Sequence, residues 1–254
     1  MKEKLYTIPL IDAFKSEDEC PFCFIERSLE QHSIHFVLGS GASYMEEDIR
    51  SQTDQLGFCR THYQKLYDYG NRLGCGLILS THLKKKNEEL SKLIQNHKPE
   101  KIRFFKRRTK TNSIDSNPLS DWIQEQNNTC YICNHIKDTY QRYLDSFFEL
   151  YKKEPQFQTL VKNCNGFCIT HFHDLITKSV RYYSNTEYQD FYKEISSLML
   201  QNLQRVQDDI QWFCEKFDYR NKDKDWKNSK DALQRSMQKM AGGHPADPPF
   251  TQDL

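Results

Sequence analysis

Apolar residues in the second part of the chain recur at intervals of three and four. They include Ile136, Tyr140, Leu144 and Phe147, and this spacing places them on one face of a helix. The position of Pro155 indicates that this helix ends just before the proline. A new helix is predicted to begin at Pro155, because proline suits the first turn. The pattern therefore predicts two consecutive helices here.

The helical period continues on both sides of this segment. A third helix is predicted to begin near Cys168, and a long fourth helix to run from about residue 188 to 217. In the first part of the chain, the same pattern predicts a helix over 24–37 and further helical residues over 62–94. Sustained alternation of apolar and polar residues, typical of strands, is absent from the sequence. We therefore predict an all-α fold.

Two cysteine motifs occur twice. Cys20-Pro-Phe-Cys23 is followed 110 residues later by Cys130-Tyr-Ile-Cys133. A Gly-Phe-Cys-x-Thr-His segment ends at His62 and returns 109 residues later. A period of this length is typical of a duplicated unit rather than of a short-repeat array.

The duplication predicts four regions. Residues 1–96 form a first helical metal-binding repeat, 97–114 a basic linker, and 115–217 a second such repeat. Residues 218–254 form a C-terminal clasp and a disordered tail, with Tyr219 and Trp226 expected to anchor the clasp on the helical body. The predicted architecture is a duplicated helical unit, each half with a Cys3His metal site, closed by a long C-terminal helix and the clasp.

The spacing within each copy suits a metal ion. Two cysteines separated by two residues can bind one ion from a single turn, and a Cys and His three apart share a helix face. Three thiolates and one imidazole fill a tetrahedral zinc shell, which makes a closed structural site. We therefore predict two zinc sites, the first formed by Cys20, Cys23, Cys59 and His62 and the second by Cys130, Cys133, Cys168 and His171.

Other readings of these residues stay open. The cysteines can be reduced core residues, since free Cys packs as a small hydrophobic side chain. They can bind an iron–sulfur cluster with one His ligand, or the C-x2-C pairs can serve a thiol-based redox enzyme or sensor. Cys75, Cys164 and Cys214 have no counterpart in the repeat and are predicted to be core cysteines, with Cys164 also a minor candidate for a substitute ligand because it lies four residues before Cys168. The sequence offers no Ser-His-Asp set or open metal site, so it predicts no catalytic residue and favours a role other than catalysis.

The net charge of +1 conceals an uneven distribution. Residues 97–112 hold seven basic residues and one acidic residue, between two mildly acidic parts. Such a strip is usually a solvated linker. Mixed with aromatic side chains, it can also contact nucleic acid through phosphates and bases, here through Lys101, Arg103, Lys106, Arg107 and Arg108.

The location is predicted from what the sequence lacks. No run of about eighteen apolar residues occurs, so a membrane partner is not expected. The N-terminal residues have no apolar core or cleavage site of a secretory signal. We therefore expect a cytoplasmic protein, in which the nine cysteines stay reduced.

Several segments resemble a known family. They are KLYTIPLIDAF, ECPFC, LGSGASYMEEDIR, LGFCRTHYQKLYDYGNRLG, the CYIC and GFCITHF pair, and FDYRNKDKDWKNSKDALQRSMQKM. Over about residues 1–240 the chain resembles a family of bacterial cytosolic proteins defined as a domain of unknown function. The resemblance implies a bacterial origin and one architecture, but no activity. The residues favour a zinc-stabilised helical protein that scaffolds or regulates a protein or nucleic acid partner.

Overall fold

A computed structural model describes residues 3–97 and 117–243. Across these residues the chain forms eleven α-helices and two short 3-10 helices, Ser43–Met45 and Tyr219–Asn221, and no strand. The α-helices are α1 (Glu3–Lys15), α2 (Pro21–Leu38), α3 (Glu47–Leu56), α4 (Arg60–Asp68), α5 (Arg72–Asn96), α6 (Pro118–Asn128), α7 (Tyr131–Lys153), α8 (Pro155–Asn163), α9 (Ile169–Ser179), α10 (Asn185–Glu215) and α11 (Ala232–Ala241). The predicted all-α class is confirmed. In the described part of the chain, no helix has the length and apolarity needed to cross a bilayer.

The helix boundaries follow the local signals of the sequence. Helix α7 ends at Lys153, and Pro155 occupies the first turn of α8, as predicted. The long fourth helix of the second copy is α10, which Glu187 supports by accepting a hydrogen bond from the backbone N–H of Ser184 at 2.8 Å. The basic strip and most of the predicted linker lie outside the described residues, as does the tail from residue 244 onward.

The described chain divides into two compact units. The first unit contains residues 3–31 and 136–243, and the second contains residues 32–97 and 117–135. The boundaries fall inside α2 and α7, so each of these helices contributes to both units. The predicted boundaries are drawn from the repeated sequence motifs rather than from contacts in the structure, and they stay a prediction.

Aromatic side chains form much of the core of the first unit. Phe22 is fully buried, and its ring centroid lies 5.5 Å from that of Phe147 and 5.9 Å from those of Phe14 and Phe167. Burying one such side chain contributes roughly 1.5–3 kcal/mol. Since Phe22 lies between Cys20 and Cys23 in the sequence, this core fixes the turn that carries both cysteines.

The second unit packs α3, α4 and α6 against the long helix α5. Its buried apolar side chains include Ile34 and Leu38 of α2 and Ile78 of α5. Asn71 joins two of these elements, since its side chain accepts from the Gly74 backbone N–H and donates to the carbonyl of Leu38. The unit therefore holds the end of α2 beside the start of α5.

The C-terminal segment packs within the first unit, but not through both predicted anchors. The side chain of Tyr219 is 85% exposed, so the prediction that it anchors the clasp is wrong. Trp226 is half-buried against Phe213, with ring centroids 6.1 Å apart. Helix α11 holds the segment more firmly, because Gln238 and Lys239 on it are both 1% exposed.

Candidate metal centres

The eight predicted ligands gather into two clusters of four. Within each cluster, the nearest ligand atoms all lie within 4.8 Å of one another. The first cluster, in the first unit, consists of Cys20, Cys23, Cys168 and His171. The second cluster, in the second unit, consists of Cys59, His62, Cys130 and Cys133.

The grouping corrects one prediction. We expected each copy of the repeat to supply its own four ligands. Instead, the C-x2-C pair of one copy meets the C-x2-H pair of the other copy in both clusters. The prediction of two Cys3His clusters is confirmed, but the predicted partnership within each copy is wrong.

Every ligand pair lies at the start of a helix. The first residue of each pair is the N-cap, since its carbonyl accepts the first hydrogen bond of the helix at 2.9–3.1 Å in α2, α4, α7 and α9. The backbone torsions of Cys59 and Cys168 nearly coincide, with φ −72° and ψ 166° at Cys59 and φ −76° and ψ 164° at Cys168. The second residue is three positions later, in the first turn of the helix, so that both side chains face the same point.

This placement also supplies positive electrostatic potential. The N-terminus of a helix carries a partial positive charge, and two such ends meet at each cluster. Backbone N–H groups contribute directly, since that of His171 donates to Cys168 Sγ at 3.4 Å and that of Cys133 donates to Cys130 Sγ at 3.5 Å. Both clusters therefore favour thiolates.

In the first cluster, the imidazole of His171 contacts all three sulfur atoms. His171 Nδ1 is 3.3 Å from Cys20 Sγ, 3.5 Å from Cys23 Sγ and 3.2 Å from Cys168 Sγ. All four residues are buried, with exposed fractions of 2% or less. The cluster is therefore closed to solvent.

The second cluster repeats this geometry with more exposure. His62 Nδ1 is 3.2 Å from Cys59 Sγ, 3.2 Å from Cys130 Sγ and 3.3 Å from Cys133 Sγ. The sulfur atoms of Cys59 and Cys133 are 3.9 Å apart. Cys130 and His62 are buried, but Cys59 is only half-buried and Cys133 is exposed.

These separations fit a single tetrahedral ion. With zinc–sulfur bonds of about 2.3 Å and zinc–nitrogen bonds of about 2.0 Å, tetrahedral angles place two sulfurs about 3.8 Å apart and a sulfur and a nitrogen about 3.5 Å apart. The contacts of 3.2–3.5 Å and the sulfur pair at 3.9 Å lie close to these values. The donor set and its size therefore suit zinc, and each cluster could hold one metal ion.

In the first cluster, neighbouring protein groups stabilise a thiolate at Cys168 together with a protonated His171. Burial opposes a charge on His171, but Cys168, Cys23 and Glu26 outweigh it and raise the pKa of His171 to about 12. Hydrogen bonds from the Cys20 and Cys23 thiols hold the pKa of Cys168 far below its usual range. Burial raises the pKa of Cys20. Holding several thiolates together here requires further positive charge.

The second cluster has the same pattern in a milder form. Burial disfavours a thiolate at Cys130, but the His62 side chain and two backbone N–H groups outweigh it and lower the pKa of Cys130 to about 6. Burial, and then the neighbouring Cys130 charge, raise the pKa of Cys133 far above its usual value. One thiolate again makes the next one costly unless a cation lies between them.

Glu26 contacts the first cluster and was not predicted from the sequence. Its Oε2 atom lies 3.2 Å from His171 Nε2, on the side of the ring opposite the cysteines. A carboxylate in this position orients a metal-binding histidine and fixes which ring nitrogen faces the metal. The available signal was spacing, since Glu26 follows Cys23 by three residues on the same helix.

The C-terminal helix closes the first cluster through a buried lysine. Lys239 donates hydrogen bonds from its ammonium to the carbonyls of Glu19 and Asn165, and its Nζ lies 3.0 Å from Glu19 Oε2. A Cβ atom at Gly242, just after this helix, would lie 3.5 Å from Cys168 Sγ. The segment that follows the repeats therefore pins the two ligand loops and covers their sulfurs.

A backbone contact connects the two motifs of the second cluster. The N–H of Tyr131 donates to the carbonyl of Gly57 at 2.9 Å. Gly57 has φ +60° and ψ −156°, a conformation that is essentially restricted to glycine. In the first cluster, Pro21 occupies the position of Tyr131 and has no N–H to donate. The two clusters therefore use different means of joining their motifs.

The other three cysteines do not join the clusters. Cys164 contacts Gly166 instead, with its sulfur 3.4 Å from the backbone nitrogen, and burial raises the pKa of its thiol to about 11. Cys75 is half-buried and donates to the carbonyl of Leu66. The prediction that Cys214 is a core cysteine is wrong, because its side chain is exposed.

Comparisons with known proteins identify the family but no individual relative. Searches of curated proteins and of solved structures each find no match for the chain. One family, described as a family of unknown function (DUF6062), matches residues 1–247. The match spans all eight ligands of the two clusters and helix α11. The chain therefore belongs to the DUF6062 family.

Proposed function

We propose that the chain is a structural zinc protein that binds one Zn²⁺ in each cluster and serves as a helical scaffold. The observation that carries this proposal is the convergence of two helix starts, from distant parts of the sequence, on each set of ligand atoms. The first cluster joins residues 151 positions apart, and the second joins residues 68 positions apart. A zinc ion bonded to both helix starts would therefore contribute directly to folding.

The ligand sets favour a structural site over a catalytic one. Three thiolates and one imidazole complete the four-coordinate shell of zinc, whereas catalytic zinc keeps one position for water or substrate. The complete burial of the first cluster supports the same conclusion, since a substrate has no direct access to it. We therefore propose no enzymatic activity at these centres.

The donor separations also favour zinc over the iron–sulfur alternative. Bridging sulfides separate the irons of a cluster, so thiolates on different irons lie farther apart than thiolates on one ion. The contacts of 3.2–3.9 Å suit a single ion better. A thiol-based redox enzyme has less support at the first C-x2-C pair, because Cys20 and Cys23 are buried and exchange requires access.

The proposed role of the scaffold is to bind and regulate a protein or nucleic acid partner. Zinc would hold the helices so that their outer faces form a fixed surface. A nucleic acid would contact the basic strip, which contains Lys101, Arg103, Lys106, Arg107 and Arg108 and lies outside the described residues. Binding through that strip would weaken steeply with added salt, since phosphate contacts release counterions. We place the protein in the bacterial cytoplasm, where its nine free cysteines would stay reduced.

Metal analysis of the purified full-length protein tests this proposal. We expect two zinc ions per chain, and replacement of one ligand by Cys168→Ser should remove one of them. Cys164→Ser is the matched control, because Cys164 lies only four residues away and belongs to neither cluster. A chain without metal would contradict the proposal. Iron with a brown colour would support the iron–sulfur alternative.

A further inference from the structure

We propose that the second cluster is a site of reversible oxidation by peroxides, at which Cys59 and Cys133 form a disulfide and zinc leaves. The first cluster keeps its zinc under the same conditions. This inference rests on the proposed zinc sites and adds a regulatory chemistry to one of them. The oxidised bond differs from the C-x2-C disulfide expected of a redox enzyme, because it joins the two motifs.

The two clusters differ in how accessible their cysteines are to solvent. Thiolates are oxidised by peroxides in proportion to their exposure as well as their thiolate character. Cys133 is exposed and Cys59 is half-buried, whereas all three cysteines of the first cluster are 1% exposed or less. A peroxide therefore reaches Cys133 from solvent without any opening of the fold.

The second cysteine of the disulfide is the one whose accessible sulfur lies next to Cys133. Cys59 Sγ lies 3.9 Å from Cys133 Sγ and is itself half-buried, at the accessible side of the cluster. Cys130 is 3% exposed, and its sulfur also accepts the Cys133 backbone N–H. That hydrogen bond holds the Cys130 sulfur at the helix start, whereas Cys59 is the more accessible partner.

The chemistry balances with hydrogen peroxide as the oxidant. The Cys133 thiolate attacks one peroxide oxygen, so that an S–O bond forms, the O–O bond breaks, and the departing hydroxide takes a proton to become water. The Cys59 thiolate then attacks the sulfur of the sulfenic acid, forming the S–S bond and displacing a second hydroxide, which also becomes water. The two thiolates lose two electrons, and the peroxide gains them.

Loss of two ligands has a direct consequence at this site. Only Cys130 and His62 remain to bind the ion, so the shell is no longer complete and zinc leaves. Residues on both sides of the cluster then lose the bond that zinc made between them, while the disulfide retains one link. A reductant together with zinc reverses both steps, because a disulfide is reduced by thiol exchange.

The first cluster resists because a separate segment covers it. Lys239 is 1% exposed and holds the loops of Glu19 and Asn165 together. The backbone at Gly242 lies over Cys168 and Cys23, since a Cβ atom at this position would lie only 3.5 Å and 3.8 Å from their sulfurs. Oxidation here requires this segment to open first.

The test treats zinc-loaded full-length protein with hydrogen peroxide and follows the released zinc with a metal-binding dye. Alkylation of remaining thiols and mass spectrometry then identify the oxidised cysteines. We expect release of one of the two zinc ions, with Cys59 and Cys133 joined, and recovery after dithiothreitol and zinc are added. Retained reactivity of Cys20, Cys23 and Cys168 after full unfolding identifies the first cluster as the protected one.

The outcomes separate this inference from the zinc proposal. If the untreated protein lacks zinc, the proposed function fails before peroxide is added. If it holds two zinc ions and peroxide releases neither or both together, the zinc proposal survives and the oxidation site is wrong. A disulfide between Cys130 and Cys133 would likewise overturn the assigned pair.

Discussion

The first and second clusters share their ligands but differ in what surrounds them. Both place a C-x2-C pair and a C-x2-H pair at two helix starts, and both bring three sulfurs to the Nδ1 atom of a histidine within 3.5 Å. The first cluster is fully buried, whereas Cys133 of the second is exposed. The two clusters thus share a ligand geometry, while their surroundings differ.

The source of this difference lies outside the repeat. The ligand geometry is local, since an N-cap residue and the residue three positions later face one point in any helix. The cover of the first cluster comes from α11, through Lys239 and Gly242, in the segment after both copies. This segment therefore contributes to closing the first cluster, together with the rings of Phe22 and Tyr140 beside His171.

The largest expected effect comes from removing the histidine of each cluster in turn. His171→Ala should lose one zinc ion and reduce the free energy of unfolding by about 3–5 kcal/mol, because it leaves buried thiols with no imidazole and no ion. His62→Ala should also lose one zinc ion but cost less, since its cluster is partly hydrated. Metal analysis and urea unfolding, monitored by circular dichroism, measure both quantities.

A neighbouring histidine provides the control for this comparison. His173 lies two residues after His171, and its side chain is 72% exposed. His173→Ala should keep both zinc ions and the stability of the parent protein. Equal losses of stability from His171→Ala and His62→Ala would show that burial does not distinguish the clusters.

The sequence predicted much of this site but not its pairing. The residues that carry ligands were identifiable because two motifs recur at fixed offsets. Spacing within a copy, however, cannot decide which copy supplies the partner pair. Helix lengths were the unused signal: α2, with 18 residues, spans about 27 Å, and α3, with ten, covers only about 15 Å on the way to Cys59. Because these two helices differ in length, the chain that follows α2 does not readily bring Cys59 back to Cys20.

The contacts around the ligands were beyond sequence reasoning for a different reason. Glu19 and Lys239 are 220 residues apart in sequence, and a charge on a short amphipathic helix is usually expected to face solvent. Lys239 is instead buried because two carbonyls and the Glu19 carboxylate satisfy its three donors. Only the tertiary structure brings these acceptors together.

Removing the Lys239 side chain should make the first cluster sensitive to peroxide, as the second cluster is. Lys239→Met keeps much of the side-chain volume but removes the hydrogen bonds to Glu19 and Asn165, so we expect a loss of about 2–3 kcal/mol in unfolding free energy. Peroxide should then release both zinc ions rather than one. Lys230→Met, at an exposed position just before α11, is the control and should leave the first cluster protected. Release of only one ion from Lys239→Met would mean that this lysine is not what protects the site.

The smallest expected effect concerns the backbone contact that only the second cluster can make. Tyr131→Pro copies the residue found at position 21 and removes the N–H that donates to Gly57. Tyr131→Ala is the matched control, because it also removes the largely buried ring but keeps the N–H. We expect the proline variant to be less stable than the alanine variant by about 0.5–1.5 kcal/mol, toward the lower end because proline favours the first helical turn. The proline variant should also release zinc to peroxide faster, since its two motifs are joined less firmly. If urea unfolding and zinc release do not distinguish the two variants, the hydrogen bond contributes no net stability, and the clusters differ in their exposure rather than in this contact.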